Sequence, residues 1–317
     1  EFESFQREEF KNLMAQYTES DIPPAQREAM QSLIDDMYEQ LVDDIAADRA
    51  LPPETVMALI DQAPLTVEMA LEGGLIDRIG YRDEFLDEAR GEIVSFVGYG
   101  SQLTVPSIDE NGIAFIQANG PILQAADGDS ALFSGNMRTH YIDRVMEDVI
   151  EDDDIKAVVF RLDSPGGSPA ASEFVRRALI RVSDAGKPVV VSMGRAAASG
   201  GYWIATGADA IVAQPGTITG SIGVVAGKPN LEGFWEEWDV NWAEISRGEN
   251  ARIISPNKPF DASEREAMNR SLDAIYNDFL ARVAEARGFS VDEARALAKG
   301  RVWSGRQAFH IVLVDDL

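Results

Sequence analysis

The sequence predicts an α/β fold built on a mostly parallel sheet. Three observations point there. Runs rich in β-branched residues alternate with stretches of helical period, turns built from glycine and serine follow three successive runs, and part of the chain is duplicated. Strands alternating with helices imply right-handed crossover units, which lay helices over the faces of a parallel sheet.

In chain order the strand signals are EIVSFVGYG from Glu92, IAFIQA (113–118), AVVFRLD (157–163), PVVVSM (188–193), AIVAQ (210–214) and NWAEIS (241–246). The helical patterns are YIDRVMEDVI (141–150), SEFVRRALIRVSDAG (172–186), closed by Gly186, and a short segment from Ser199. Residues 24–49 and 262–287 carry wide apolar stripes and are expected to pack as arms or on the sheet.

Those two long segments are copies. At a constant offset of 238, eight of 26 positions are identical: Arg27/Arg265, Glu28/Glu266, Ala29/Ala267, Met30/Met268, Asp35/Asp273, Tyr38/Tyr276, Ala46/Ala284 and Arg49/Arg287. The same offset carries ALEGGLID (70–77) onto AFHIVLVD (308–315). So long a period excludes a solenoid and indicates a duplicated domain. The second copy opens near Glu92, and its counterpart falls before residue 1. The expected organisation is therefore 1–91 as the C-terminal part of a first repeat and 92–317 as a complete second repeat, the chain beginning inside the first.

Composition narrows the function classes. A net charge of −26 argues against nucleic-acid binding, which needs a basic footprint, and against docking on anionic lipid. Six lysines stand against 22 arginines. The absence of cysteine excludes disulfides and thiolate metal sites. No run of apolar residues is long enough to span a bilayer. Glu151–Asp154 lacks the ligand spacing of a calcium loop and reads as a solvated turn.

Chemistry concentrates in three turns. Asp163-Ser164-Pro165-Gly166-Gly167-Ser168 lies between a strand and a helix, where outward N–H groups suit an oxyanion. Ser199-Gly200-Gly201 follows the next strand, and Thr219-Gly220-Ser221-Ile222-Gly223 the one after. Three such turns along one sheet edge form a site where α/β proteins place theirs. A serine nucleophile needs a base. Neither His140 nor His310 lies near these turns, whereas a lysine made neutral by burial can serve, and both Lys228 and Lys11 are open candidates. Phe10, Leu13 and Met14 offer Lys11 apolar cover. Phe234, Trp235, Trp238 and Trp242 form an aromatic group suited to core or subunit packing or to a substrate wall, and 125–138 reads as a polar loop bordering the groove.

DSPGGS, then ASGGYW, then TGSIG resembles the signal peptide peptidases of the SppA type, within the wider ClpP/crotonase-like fold. The duplication and its arms resemble the long, tandem-repeat form of that family. In that form the second repeat supplies the serine and the first supplies the lysine, ahead of a Pro-Ala-x-Arg-Glu helix start. Lys11, followed by PPAQREA, takes that place. The short forms carry the lysine downstream of the serine, where this chain has Glu249 and Ala251. Phe10 and Asn12 depart mildly from the usual neighbours of the lysine.

The resemblance implies a Ser-Lys peptidase in which Ser199 attacks, Lys11 takes the proton and Ser221 orients the lysine. N–H groups of Gly166 and Gly200 would hold the oxyanion, and Gly167, Gly201 and Tyr202 would line the substrate. It implies no metal and no cofactor, remnant signal peptides as substrates with small or aliphatic residues at P1, and a homo-oligomeric ring, taken as a tetramer. It also implies a membrane-associated protein facing the periplasm, anchored upstream of residue 1. Two rival readings are a crotonase-like acyl-CoA enzyme on the same architecture and a catalytically silent peptide-binding module.

Overall fold

The computed structural model describes residues 1–89, 112–123 and 136–317. The strand expected from Glu92 and most of the loop expected over 125–138 lie outside these residues. The chain begins with β1 (Phe2–Gln6), α1 (Ala15–Thr18), α2 (Pro24–Arg49), α3 (Pro53–Asp61), α4 (Val67–Glu72) and α5 (Arg82–Glu88). It continues with β2 (Gly112–Asn119), α6 (Thr139–Glu151), β3 (Ile155–Ser164), α7 (Pro169–Asp184), β4 (Val189–Ala198), α8 (Gly200–Ala205), β5 (Ala210–Val212) and β6 (Ile218–Gly220). The last described elements are β7 (Val225–Pro229), α9 (Glu232–Glu237), α10 (Ala262–Arg287), α11 (Val291–Ala298), β8 (Val302–Ser304) and α12 (Gly305–His310).

The fold is α/β. The main sheet runs β2-β3-β4-β6-β8, with β5 also on β4, and every pairing is parallel except β6 with β8. β3 and β4 are its middle, which is why VVFRL and VVVSM read so clearly: Val158, Phe160, Leu162, Val189, Val191 and Met193 are all fully buried. Helices α6, α7 and α10 cover this core with Met146, Val175, Leu179, Leu272 and Leu280. A separate two-stranded ribbon pairs β1 antiparallel with β7, Glu3 facing Lys228.

One expected strand does not form. Residues 241–246 make no ladder, and Trp242 and Ile245 are exposed. β-propensity expresses the fit of a side chain to a half-buried pleated surface, and this segment has no partner strand to provide one.

The chain divides into two compact units, Glu1–Ile34 with Glu110–Leu317, and Asp35–Asp109. In the second of these, Val42, Ala46 and Val56 are buried with Tyr38, Ile45, Leu51 and Ile60 against them.

The duplication is visible in geometry. α2 and α10 both hold 26 residues and begin and end at the offset of 238. At the C-terminus of α2, Arg49 donates to the Gly74 carbonyl at 2.8 Å and to Asp77 at 2.8 Å. At the same offset Arg287 donates to the Val312 carbonyl at 2.8 Å and to Asp315 at 2.7 Å. The N-caps repeat too: the Thr66 hydroxyl accepts from Met69 N–H and that of Ser304 from Gln307 N–H. In both copies a bidentate arginine fork ties the end of the long helix to the residues just after a later short helix, α4 or α12, whose own start is closed by a hydroxyl cap.

Candidate active site

β4 delivers Ser199. The strand ends at Ala198, and Ser199 is the N-cap of α8 with φ 53° and ψ −120°, a conformation that L residues rarely adopt. Two bonds hold it there: Ser199 N–H donates to the Gly220 carbonyl, and Trp203 N–H donates to the Ser199 carbonyl, both at 2.9 Å. A sharp strand-to-helix turn of this kind lifts the hydroxyl clear of the backbone at the sheet edge. β6 places Ser221 beside it, likewise at positive φ, with its N–H bonded to the Arg301 carbonyl at 2.7 Å.

Lys11 arrives from the other end of the sequence. The β1–β7 ribbon carries the chain past Arg7, whose N–H donates to the Val224 carbonyl, and Phe10 N–H then donates to the Lys299 carbonyl at 3.1 Å. The Lys11 amine donates to the Ser221 carbonyl and to Ser221 Oγ, each at 2.8 Å, and lies 3.1 Å from Ser199 Oγ. Lys11 is 7% exposed, and burial pulls its ammonium down to about 8.

The cover that keeps this amine dry is only in part the one expected: Phe10 and Met14 are half-buried, but Leu13 is turned to solvent, 63% exposed. Lys11 is instead pressed against two glycines. A Cβ on Gly223 would stand 3.3 Å from Lys11 Cδ, and one on Gly300, at φ +79°, would stand 2.6 Å from Lys11 Cβ.

The other lysines are occupied elsewhere. Lys187 donates to the carbonyls of Val149 and Asp152, Lys156 to that of Asp153, Lys258 to Glu264 and Lys299 to Glu9. Lys228 is buried with its amine over the Phe260 ring, 4.1 Å from the centroid. His140 packs on Phe174 and His310 beside Phe309. Neither histidine nor Lys228 lines the cleft at Ser199.

That cleft has a volume of about 560 Å³ and is lined by Phe10, Lys11, Leu13, Ala29, Met30, Gly166, Gly167, Ser199, Gly200, Trp203, Ser221, Val224, Ile275 and Phe279, among others. Its walls are mostly apolar. Trp203 stacks on Phe279 with centroids 4.6 Å apart, and its indole N–H donates to Glu173 at 2.7 Å.

The Gly166–Gly167 turn borders the serine closely. Gly166 has φ +105°, and a Cβ there would stand 2.7 Å from Ser199 Cβ and 2.8 Å from Gly200 N, so only glycine fits. Gly166 N–H donates to Ser164 Oγ at 3.2 Å. Among the described residues, the N–H groups of Gly167 and Gly200 have no hydrogen-bond partner and are available to an oxyanion.

Thus Ser199, Lys11, Ser221, Gly166, Gly167 and Gly200 come together, but the Gly166 N–H expected at the oxyanion is taken by Ser164 Oγ, which leaves the neighbouring Gly167 N–H as the free donor of that turn. Gly201 and Tyr202 do not belong to the substrate wall as expected. Gly201 packs on the Ser164 carbonyl, while Tyr202 is fully buried with its hydroxyl donating to the Leu313 carbonyl at 2.7 Å. The aromatic group at 234–242 is a cluster, with Phe234 and Trp235 rings 4.9 Å apart, but it does not line the cleft and Phe234, Trp238 and Trp242 are exposed.

With this geometry the comparisons fall into place. Residues 1–93 and 181–317 match Peptidase family S49. The chain belongs to peptidase family S49. "Protease 4" of Salmonella typhi is 33% identical over 97% of this chain and 52% of its own length. "Serine protease SPPA, chloroplastic" of Arabidopsis thaliana is 30% identical over 96% of this chain and 47% of its own length. This S49 chain therefore spans about half the length of those two relatives. "Putative signal peptide peptidase SppA" of Enterococcus faecium is 29% identical over 71% of this chain and 66% of its own length. Among solved structures, a ClpP1 mutant from Listeria monocytogenes aligns with 66% of this S49 chain and 91% of its own, at 14% identity and a TM-score of 0.42.

Proposed function

We propose that this chain carries the Ser-Lys catalytic pair of a serine endopeptidase of the signal peptide peptidase type. The observation that carries the reading is the Lys11 amine, dry, 3.1 Å from Ser199 Oγ and anchored twice on Ser221. A neutral amine has two N–H bonds and one lone pair. Its two hydrogens satisfy the Ser221 carbonyl and Ser221 Oγ, which leaves the lone pair for the Ser199 hydroxyl proton.

In acylation that proton moves to Lys11 Nζ while Ser199 Oγ bonds the peptide carbonyl carbon. The carbonyl oxygen becomes an oxyanion held by the N–H groups of Gly200 and Gly167. The new ammonium then gives its proton to the departing amide nitrogen as the C–N bond breaks. Water entering the site loses a proton to Lys11, attacks the ester, and Ser199 regains its hydrogen as the acid product leaves.

An acyl-CoA enzyme would need the N–H groups but has no use for a buried lysine on a strained serine, and a silent binding module has use for neither. The apolar cleft suits small or aliphatic P1 side chains, and the name of the Enterococcus relative supports remnant signal peptides as substrates. The repeat division at 91/92, an oligomeric ring of four chains, and a membrane-associated setting on the periplasmic face belong to the same proposal. Among the described residues no helix is long and apolar enough to cross a membrane. The test is hydrolysis of a fluorogenic peptide with an aliphatic P1 residue by the parent chain and by Ser199→Ala. The reading requires turnover by the parent and none by the variant, and turnover by both would overturn it.

A further inference from the structure

We infer that Arg301 is a positioning residue for the base, holding the Phe10–Lys11 segment and Ser221 together from one point. The inference rests on the Ser-Lys reading above and adds what keeps the pair assembled.

Arg301 touches both halves of the cradle. Its backbone carbonyl accepts the Ser221 N–H at 2.7 Å, which fixes the residue on which the Lys11 amine is anchored. Its guanidinium lies 5.1 Å from the centroid of Phe10 and 4.6 Å from that of Trp303. One edge donates to Glu28 of α2 at 2.6 Å. The side chain is only 16% exposed, and Nε is buried with no hydrogen-bond partner among the described residues, so apart from the Glu28 contact the guanidinium is held by its faces. A planar, weakly hydrated cation suits that slot; an ammonium, a compact and strongly hydrated charge, does not.

The neighbours of Arg301 reinforce the fit. Gly300 N–H donates to the Ile222 carbonyl at 2.9 Å, and Gly300 leaves no room for a side chain against Lys11. The charges around the segment are paired: Lys299 with Glu9, Arg295 with Glu8 and Arg301 with Glu28. Paired charges leave exclusion of water as the property that sets the state of the amine. Loosening the Phe10 stack would admit water to Lys11 and return its titration toward the ordinary lysine range of about 10.4.

The test is the rate at which a serine-directed fluorophosphonate labels Ser199 in the full chain, from neutral to alkaline pH, alongside peptide KM and kcat. Arg301→Lys and Arg301→Met are expected to fold, to label about tenfold slower at neutral pH and to shift the pH midpoint up by about one unit, with KM within about twofold of the parent. Glu28→Gln, an exposed change that leaves the core intact, should shift the midpoint in the same direction by less. An unchanged midpoint in the Arg301 variants, whether or not the rate falls, would overturn the inference. The two readings separate cleanly: if Lys11→Ala labels as fast as the parent, the base itself is wrong; if Lys11→Ala is silent while the Arg301 variants match the parent, only the positioning role fails.

Discussion

Lys11 Nζ stands 3.1 Å from Ser199 Oγ across 188 residues of sequence. Under the proposed repeat division the serine lies in the second copy and the lysine in the first. The position matching Lys11 at the offset of 238 is Glu249, so the part of the chain that carries Ser199 has no lysine there.

Ser199→Ala removes the nucleophile and nothing that packs. Peptide hydrolysis should fall by at least about 1,000-fold, with the far-UV circular dichroism and melting temperature close to the parent's.

Ser221→Ala takes away one of the two oxygens that hold the amine and leaves the carbonyl. kcat should drop about tenfold, or ~1.4 kcal/mol in barrier height, with KM little changed. Steady-state kinetics on one peptide decides it; a rise in KM at constant kcat would place Ser221 in substrate binding instead.

Lys11 should weaken the fold at neutral pH. Its ammonium titrates at about 8 in the folded chain because burial disfavours the charge, against about 10.4 in an unfolded one. Between those values the unfolded chain binds more protons, so stability rises with pH there, and the penalty is present in full below the lower value. Relative to Lys11→Met, the parent should gain on the order of 3 kcal/mol between neutral pH and pH ~10.5. Urea unfolding of both proteins at the two pH values measures the difference; a constant gap would mean an ordinary, solvated lysine.

The two repeat-related forks should differ in strength. The side chain of Arg287 is 7% exposed and that of Arg49 28%. Arg287→Met, which leaves Asp315 only its bond from Ile211 N–H and frees the Val312 carbonyl, should cost about 2 kcal/mol, and Arg49→Met should cost less. Thermal melts of the two variants give the comparison.

How much of this was legible depends on the physics of each part. β3 and β4 are plain because their β-branched residues concentrate at the middle of the sheet, where Val158, Phe160, Leu162, Val189, Val191 and Met193 are fully buried. β1, β7 and β8 are short and carry few such residues, and their pairing is set by distant chain, so local pattern says little about them. NWAEIS misled because strand propensity without a partner is not a strand. Ser199 could be read from its glycines, since a tight turn demands particular residues. Tyr202, next in that motif, is not placed by the sequence, because the whole six-residue helix is buried and only the fold shows that its hydroxyl reaches the Leu313 carbonyl rather than the cleft. The Leu13 cover was misjudged for the reason that Gly300 and Arg301 were missed: what surrounds Lys11 comes from residues almost 300 positions away. The Gly300-Arg301 pair following α11 was the available signal, a glycine at a positive-φ stop followed by a cation between aromatics.

The central claim is that a neutral Lys11 takes the Ser199 proton, and the pH dependence of Ser199 labelling by a fluorophosphonate tests it most directly. In the parent chain the rate should rise with pH and reach half its plateau near the Lys11 value of about 8. Lys11→Arg should remain unlabelled throughout, since a guanidinium keeps its proton. Labelling of Lys11→Arg at the parent's rate, or a parent profile flat across that range, would contradict the account.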